Sequence, residues 1–254
     1  MIQPSLDKRL AARFPERGTP VVMKQRWDSL LFLHWKISPE QIQRTLPPGL
    51  YVDTYGGSAW LGVVPFFMKN VRPVFCPPVP WLSWFHELNV RTYVYDDNGI
   101  PGVWFYSLDC DQPIAVKAAQ TLFHLPYQYA SMSSQLFREM EASVIHYNCR
   151  RKGQQHKASY VYAGIDEEKE AEPETLEFFL LERYYLYAWI ENAKRLLRGQ
   201  VSHKPYLYKM TKLDDYSTLP MHQAGFDDAQ GTPAHQCYSS GANVKIYPMK
   251  QVLA

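Results

Sequence analysis

The stretch from Pro78 to Tyr127, PVPWLSWFHELNVRTYVYDDNGIPGVWFYSLDCDQPIAVKAAQTLFHLPY, decides how the whole chain reads. It holds two strand patterns, about 85–95 and 102–109, joined at Asp96-Asp97-Asn98-Gly99. A short helix over 113–123 follows: Pro113 suits a first turn and Pro126 forbids continuation. Glu87, Asn89, Arg91 and Tyr93 fall on every second residue and so share one strand face, while Leu88, Val90 and Val94 take the other. A charged pair backed by aliphatics suits a wall between a polar cavity and a core.

Working outward, Gln25 to Ile37 reads as a buried strand, rich in β-formers. Ser38 can cap a helix that follows, with Pro39 in its first turn and Gln41 completing a capping box. Tyr51 to Asp53 and Ser58 to Met68 read as strands around a Tyr55-Gly56-Gly57 turn. Residues 72–80 carry four prolines, which predicts a surface loop or pocket rim. Residues 141–150 and 158–164 read as a hairpin around Lys152-Gly153, and the acidic run 166–177 as a solvated loop. Phe178 to Trp189 and 195–210 read as strands turning near Glu191-Asn192, with a helix over 188–198 as the local alternative. The tail from Tyr216 reads as loop-rich, with one strand at Asn243 to Tyr247. Leu6, Leu10 and Phe14 allow an amphipathic helix over 5–14 or a frayed arm.

Ten or so strands with few short helices predict a mainly β fold. The sheet is expected to be antiparallel and closed or nearly closed, a β-barrel or double sheet around a central cavity. No linker signal divides the chain, so one domain over 1–254 is expected, with 1–20 as an N-terminal arm. A net charge of +2 is too small to argue for nucleic acid. No apolar run is long enough to span a membrane, so no membrane partner is expected. The first residues, MIQPSLDKRLAARFPERG, lack an apolar signal region. Cys76, Cys110, Cys149 and Cys237 are too scattered for a zinc motif and suit a reducing compartment, so a cytoplasmic location and no metal are expected. Aromatic content of 15% favours ring-lined pockets and leaves a homo-oligomer open.

Among candidate site residues, Glu87 is the catalytic candidate and Arg91 an anchor for a carboxylate. They lie roughly 13 Å apart along the strand, so they would hold opposite ends of a small ligand unless each only pairs with a neighbouring strand. Asn89, Tyr93, Ser107 and Tyr127 are candidate ligand contacts, and Asp109 is expected to cap the next helix. Glu182 and Arg183 are adjacent, so on a strand only one faces inward; the choice falls on Glu182. His203 is a further candidate contact, with a structural role as its first expectation, as for His34, His86 and His124. There is no Gly-rich phosphate loop, G-x-S-x-G elbow or H-E-x-x-H helix, and no cofactor is expected.

The segments FLHWKISPEQIQRTLPPGLYVD, AWLGVVPF, FHELNVRTYV, GVWFYSLD, LPY and LERYYLY, in that order, resemble the YqjF-like (DUF2071) family. That family's fold is thought similar to acetoacetate decarboxylase, which implies an enclosed cavity. Acetoacetate decarboxylase uses a Schiff-base lysine directly after the last proline of its motif. Here Tyr127 and Gln128 follow Pro126, so the resemblance implies the barrel without the amine chemistry. Glu87 matches the glutamate of the active-site strand. The other catalytic carboxylate would fall near Trp60 and the substrate arginine near Asp28 or Arg26, without a convincing match. Three functions follow as expectations. One is lysine-independent acid–base chemistry on a small keto or carboxylate compound. Another is a non-enzymatic ligand-binding or sensing module. The third is a residual decarboxylase using Lys117.

Overall fold

The structure is a computed structural model that describes residues 3–138, 143–227, 229 and 231–252. The elements run α1 (Leu6–Ala11), β1 (Met23–Ile37), α2 (Pro39–Gln43), β2 (Leu50–Val52), β3 (Ala59–Pro73), β4 (Phe85–Asp96), β5 (Pro101–Cys110), α3 (Pro113–Leu122), β6 (Tyr127–Arg138), β7 (Ser143–Arg151), β8 (Ala158–Glu170), α4 (Leu176–Leu181), β9 (Tyr185–Ile190), β10 (Arg195–Ser202), β11 (Leu207–Asp215), α5 (Leu219–Gln223), β12 (His235–Ile246) and β13 (Lys250–Gln251). The fold is mainly β, with one sheet joining the thirteen described strands.

The pairings close on themselves twice. One ring of nine strands runs β5-β6-β7-β8-β11-β12-β1-β3-β4 and back to β5. A second ring, of seven, runs β5-β9-β10-β12-β1-β3-β4. The wall from β12 through β1, β3 and β4 to β5 is common to both, so its two faces look into different cores. Period-two alternation sorts the side chains accordingly. Leu31, Leu33, Leu61, Val63, Leu88 and Val90 pack with Tyr147, Tyr160 and Tyr162. Leu30, Phe32, Val64, Phe66, Leu108 and Tyr206 pack on the other side.

The sheet is mixed, not antiparallel throughout. β6 and β9 both pair parallel to β5, and the first of these pairings is reached through α3, the helical crossover that a parallel neighbour requires. Several other expectations are corrected. β3 continues to Pro73, into the proline-rich loop, and β12 begins at His235 rather than Asn243. β8 carries the acidic run to Glu170, with its acidic end exposed. The expected strand from Phe178 begins as α4, capped by Thr175, whose Oγ1 accepts from the Phe178 N–H at 3.3 Å. The β9–β10 hairpin turns at Glu191–Ala193 as expected. β7 and β8 pair, while residues 141 and 142 of that expected hairpin lie outside the described residues.

The N-terminal arm is tied down. α1 is capped by Ser5, and the Gln200 side chain donates to the carbonyls of Ala12 and Phe14 at 3.0 and 3.1 Å.

Candidate functional site

A cavity of about 310 Å³ lies on the seven-strand side of the shared wall. β4 contributes Glu87 and Arg91, β5 contributes Phe105 and Leu108, and α3 covers it with Ala115 and Ala119. Most of the lining is apolar. Its charged residues, among those described, are Arg72, Glu87, Arg91 and Arg183, and no lysine is present.

Glu87 is 3% exposed. Its Oε2 accepts from the Tyr127 hydroxyl at 2.8 Å. Burial pushes its carboxyl up to about 8, against the smaller downward pull of the Tyr127 bond. At neutral pH the group is therefore largely a neutral acid. The strand itself is pinned from the opposite core, where the Tyr147 hydroxyl reaches the Glu87 carbonyl at 2.9 Å.

Arg91 sits further along the same face, beyond a register shift between Val90 and Arg91. Its Nη2 donates to the Leu180 carbonyl at 3.3 Å and the Tyr93 hydroxyl at 3.4 Å. Its Nε is buried with no hydrogen-bond partner among the described residues. Tyr93 also bonds His34 Nε2 at 2.7 Å, and His34 Nδ1 lies 2.9 Å from His235 Nδ1. Burial holds both imidazoles well below their ordinary range, so this chain adds no charge.

Arg183 reaches the same end of the cavity from beyond α4. Its guanidinium carbon lies 5.1 Å from the Tyr93 ring, and that of Arg91 lies 5.6 Å from it. Arg183 Nη1 pairs with Asp53 at 2.7 Å, and Nε donates to the Phe179 carbonyl at 2.7 Å. Asp53 also takes Arg9 of α1 in a two-pronged pair at 2.8 Å. One carboxylate thus serves two guanidinium groups. Burial lowers Arg183 to about 10, which leaves it cationic, and its Nη2 is buried without a partner among the described residues.

Three of the sequence candidates, Glu87, Arg91 and Tyr127, line the cavity together. Asn89, Tyr93, Ser107, Glu182 and His203 are buried but are not among the residues lining it. Glu182 accepts from the Tyr184 hydroxyl and from the Tyr206 N–H. His203 stacks on Tyr184, with ring centroids 4.7 Å apart, and donates from Nδ1 to the Lys204 carbonyl. Of Glu182 and Arg183, the choice of Glu182 is corrected: Arg183 lines the cavity and Glu182 does not. α4 ends at Leu181, both residues follow it, and both are buried. Asp109 does not cap α3: it pairs with Arg151 at 2.8 Å, and the Gln112 side chain caps the helix instead. Lys117 is exposed on α3 and does not line the cavity. Sequence reasoning passed over Arg183 in favour of Glu182, and missed Asp53 and Arg9. Their pairing spans 130 and 44 positions and leaves no local pattern.

The model of the DUF2071 family, described as an uncharacterized conserved protein, matches residues 24–243. The chain belongs to the DUF2071 family. The uncharacterized protein YqjF of Bacillus subtilis is 37% identical over 248 residues, covering 95% of this chain and 99% of that protein. Solved structures resemble this DUF2071 fold at low identity. The enduracididine biosynthesis enzyme MppR complexed with pyruvate superposes with a TM-score of 0.64 at 14% identity, covering 92% of this chain and 91% of that one. An acetoacetate decarboxylase-like enzyme from Sphingomonas wittichii RW1 gives 0.64 at 12% identity, covering 92% and 94%. Acetoacetate decarboxylase from Legionella pneumophila gives 0.57 at 12%, covering 99% and 96%. This DUF2071 chain therefore has the acetoacetate decarboxylase-like fold.

Proposed function

We propose that this protein binds a small carboxylate or keto acid with an apolar body and moves a proton on it with Glu87. The observation that carries the reading is a buried carboxyl poised near pH 8 in the same cavity as two guanidinium groups with unpartnered N–H atoms. Arg91 anchors the ligand's carboxylate, and Arg183 adds positive charge beside it. With Glu87 protonated, the cavity end holds an excess of cations that an anion would balance. Glu87 then acts as base once ionised, with the Tyr127 hydroxyl steadying its carboxylate. Amine chemistry finds no support: Tyr127 follows Pro126, and Lys117 is on an exposed face. The pyruvate complex of MppR, on a similar fold, agrees with a small keto acid as the ligand class.

The test is thermal unfolding against keto acids, hydroxy acids, aldehydes and fatty acids, for wild type, Arg91→Ala and Glu87→Gln. A ligand at 100 times its dissociation constant adds about 2.7 kcal/mol. A carboxylate should stabilise wild type and Glu87→Gln but not Arg91→Ala, and turnover should vanish in Glu87→Gln. Turnover should rise with pH through about 8, as the base ionises. A response that Arg91→Ala retains would sink the anchoring role. The largely apolar lining also suits a binding module without catalysis. A bound ligand that wild type never converts would select that reading.

A further inference from the structure

We propose that the rim of the cavity docks on an anionic lipid surface. The rim is made by the 74–84 loop and by α3, which are joined where the Gln112 side chain donates to the Trp81 carbonyl at 3.0 Å. From it Phe75, Val79, Trp81, Trp84, Ile114 and Leu122 project into solvent. Phe75 is 99% exposed and Trp81 70%. Such rings are not left outside by a loose loop. Ser83 is buried, its Oγ accepts from the Val79 N–H at 2.9 Å, and its carbonyl accepts from Val71 at 3.1 Å. Phe75 and Trp81 both hold positive φ, of 71° and 59°, a conformation that bulky side chains rarely adopt. The loop thus satisfies its polar groups inward and holds its rings outward.

Charge selects the occupant. Residues 69–84 and 112–124 contain no Asp or Glu. Next to the loop, Arg72 of β3 faces Lys24 of β1, and Lys24 faces Lys245 of β12. Three cations in cross-strand register repel one another, and among the described residues no carboxylate pairs with them. In a two-fold contact through this rim, Arg72 and Lys117 would meet their own copies with no carboxylate of either rim segment to balance them. A leaflet bearing phosphate headgroups neutralises the row while its interface takes the Trp and Phe rings. Among the described residues no helix is long and apolar enough to cross a membrane, so the contact is peripheral. Because Arg72, Leu82, Ile114 and Leu122 also line the cavity, docking would turn its mouth toward the lipid.

This inference does not depend on the ligand proposed above, and its test needs no ligand. Cys76 is the exposed one of the four cysteines and lies in the patch, so it takes an environment-sensitive dye on the otherwise unaltered chain. With vesicles of phosphatidylglycerol and phosphatidylcholine the dye should brighten several-fold, and unlabelled protein should sediment with them. Neither should occur with phosphatidylcholine alone, and about 0.5 M salt should release the protein, since a Debye length of only a few Å screens the contact. Phe75→Ser with Trp81→Ser should cut sedimentation at least tenfold, as should Lys24→Glu with Lys245→Glu. Circular dichroism serves to check that each variant remains folded. No response to phosphatidylglycerol vesicles at low salt overturns the proposal, as does undiminished binding by both folded variants. A dye response to protein concentration alone, with doubled mass, gives the surface to a second copy and equally overturns it.

Discussion

Among the described residues Glu87 has one hydroxyl partner and no counter-ion in contact, so its proton is coupled to folding itself. Its folded pKa of about 8 lies above the 4.5 of a free carboxyl. The folded state therefore holds the extra proton between those values, and stability falls as pH rises from about 4.5 to 8. The effect is on the order of a few kcal/mol for a fully buried group. Glu87→Gln should remove this slope: in urea titrations at pH 5 and 8, wild type should lose stability relative to the variant. Equal losses would mean that the carboxyl is ionised in the fold. Asp53 is instead the carboxylate shared by two arginines. Asp53→Asn leaves Arg9 and Arg183 side by side without their carboxylate and should cost about 3–5 kcal/mol, read as a lowered denaturant midpoint. At this scale, strand spacing placed Glu87 and Arg91 on one face and the Pro126 stop pointed to Tyr127; the three line one cavity, while Asn89 and Tyr93 of the same spacing do not. The choice fell on Glu182 rather than Arg183, because the neighbouring run of apolar residues hides a helix end after which both charges are buried and Arg183 alone reaches the cavity.

Among the elements, β4 and β5 were readable because each alternates between two environments and their turn announces itself. β6 was not anticipated, and its burial explains why: most of its side chains are exposed, so no apolar period survives. α4 failed for the opposite reason. Phe178 to Leu181 are all buried, and a short wholly apolar run carries neither the helical nor the strand period. The acidic end of β8 looked like a loop because its pairing with β11 is supplied by the backbone. Where β12 passes β1, Gly241 has φ +108°, and an added Cβ would lie 2.0 Å from the Trp27 carbonyl oxygen. Gly241→Ala should lower stability by at least about 1–3 kcal/mol from the strained φ alone. Gly57, also at positive φ but with open space around it, is the control. If both alanine variants melt alike, the close approach of β12 to β1 is not what fixes that glycine.

At the scale of the molecule, ring closure was foreseeable from the number of strands, while the double ring was not. It rests on β9 and β10, which bridge β5 to β12 across the open side. That bridging forms the compartment in which Glu87, Arg91 and Arg183 meet, and the site is a property of the assembled sheet more than of any hairpin. The pairing of β1 with β12 has a further consequence, for the order of events in time. Met23 finds Ile246, and His34 finds His235, across some two hundred intervening residues. At roughly 5–20 residues per second, a ribosome takes on the order of 10–40 s to supply the second partner after the first is made. Through that interval Leu30 to Leu33, apolar towards both sides, stands at an open border of the nascent chain. The chain is thus most exposed to aggregation during its own synthesis, until its last long strand emerges and closes both rings together.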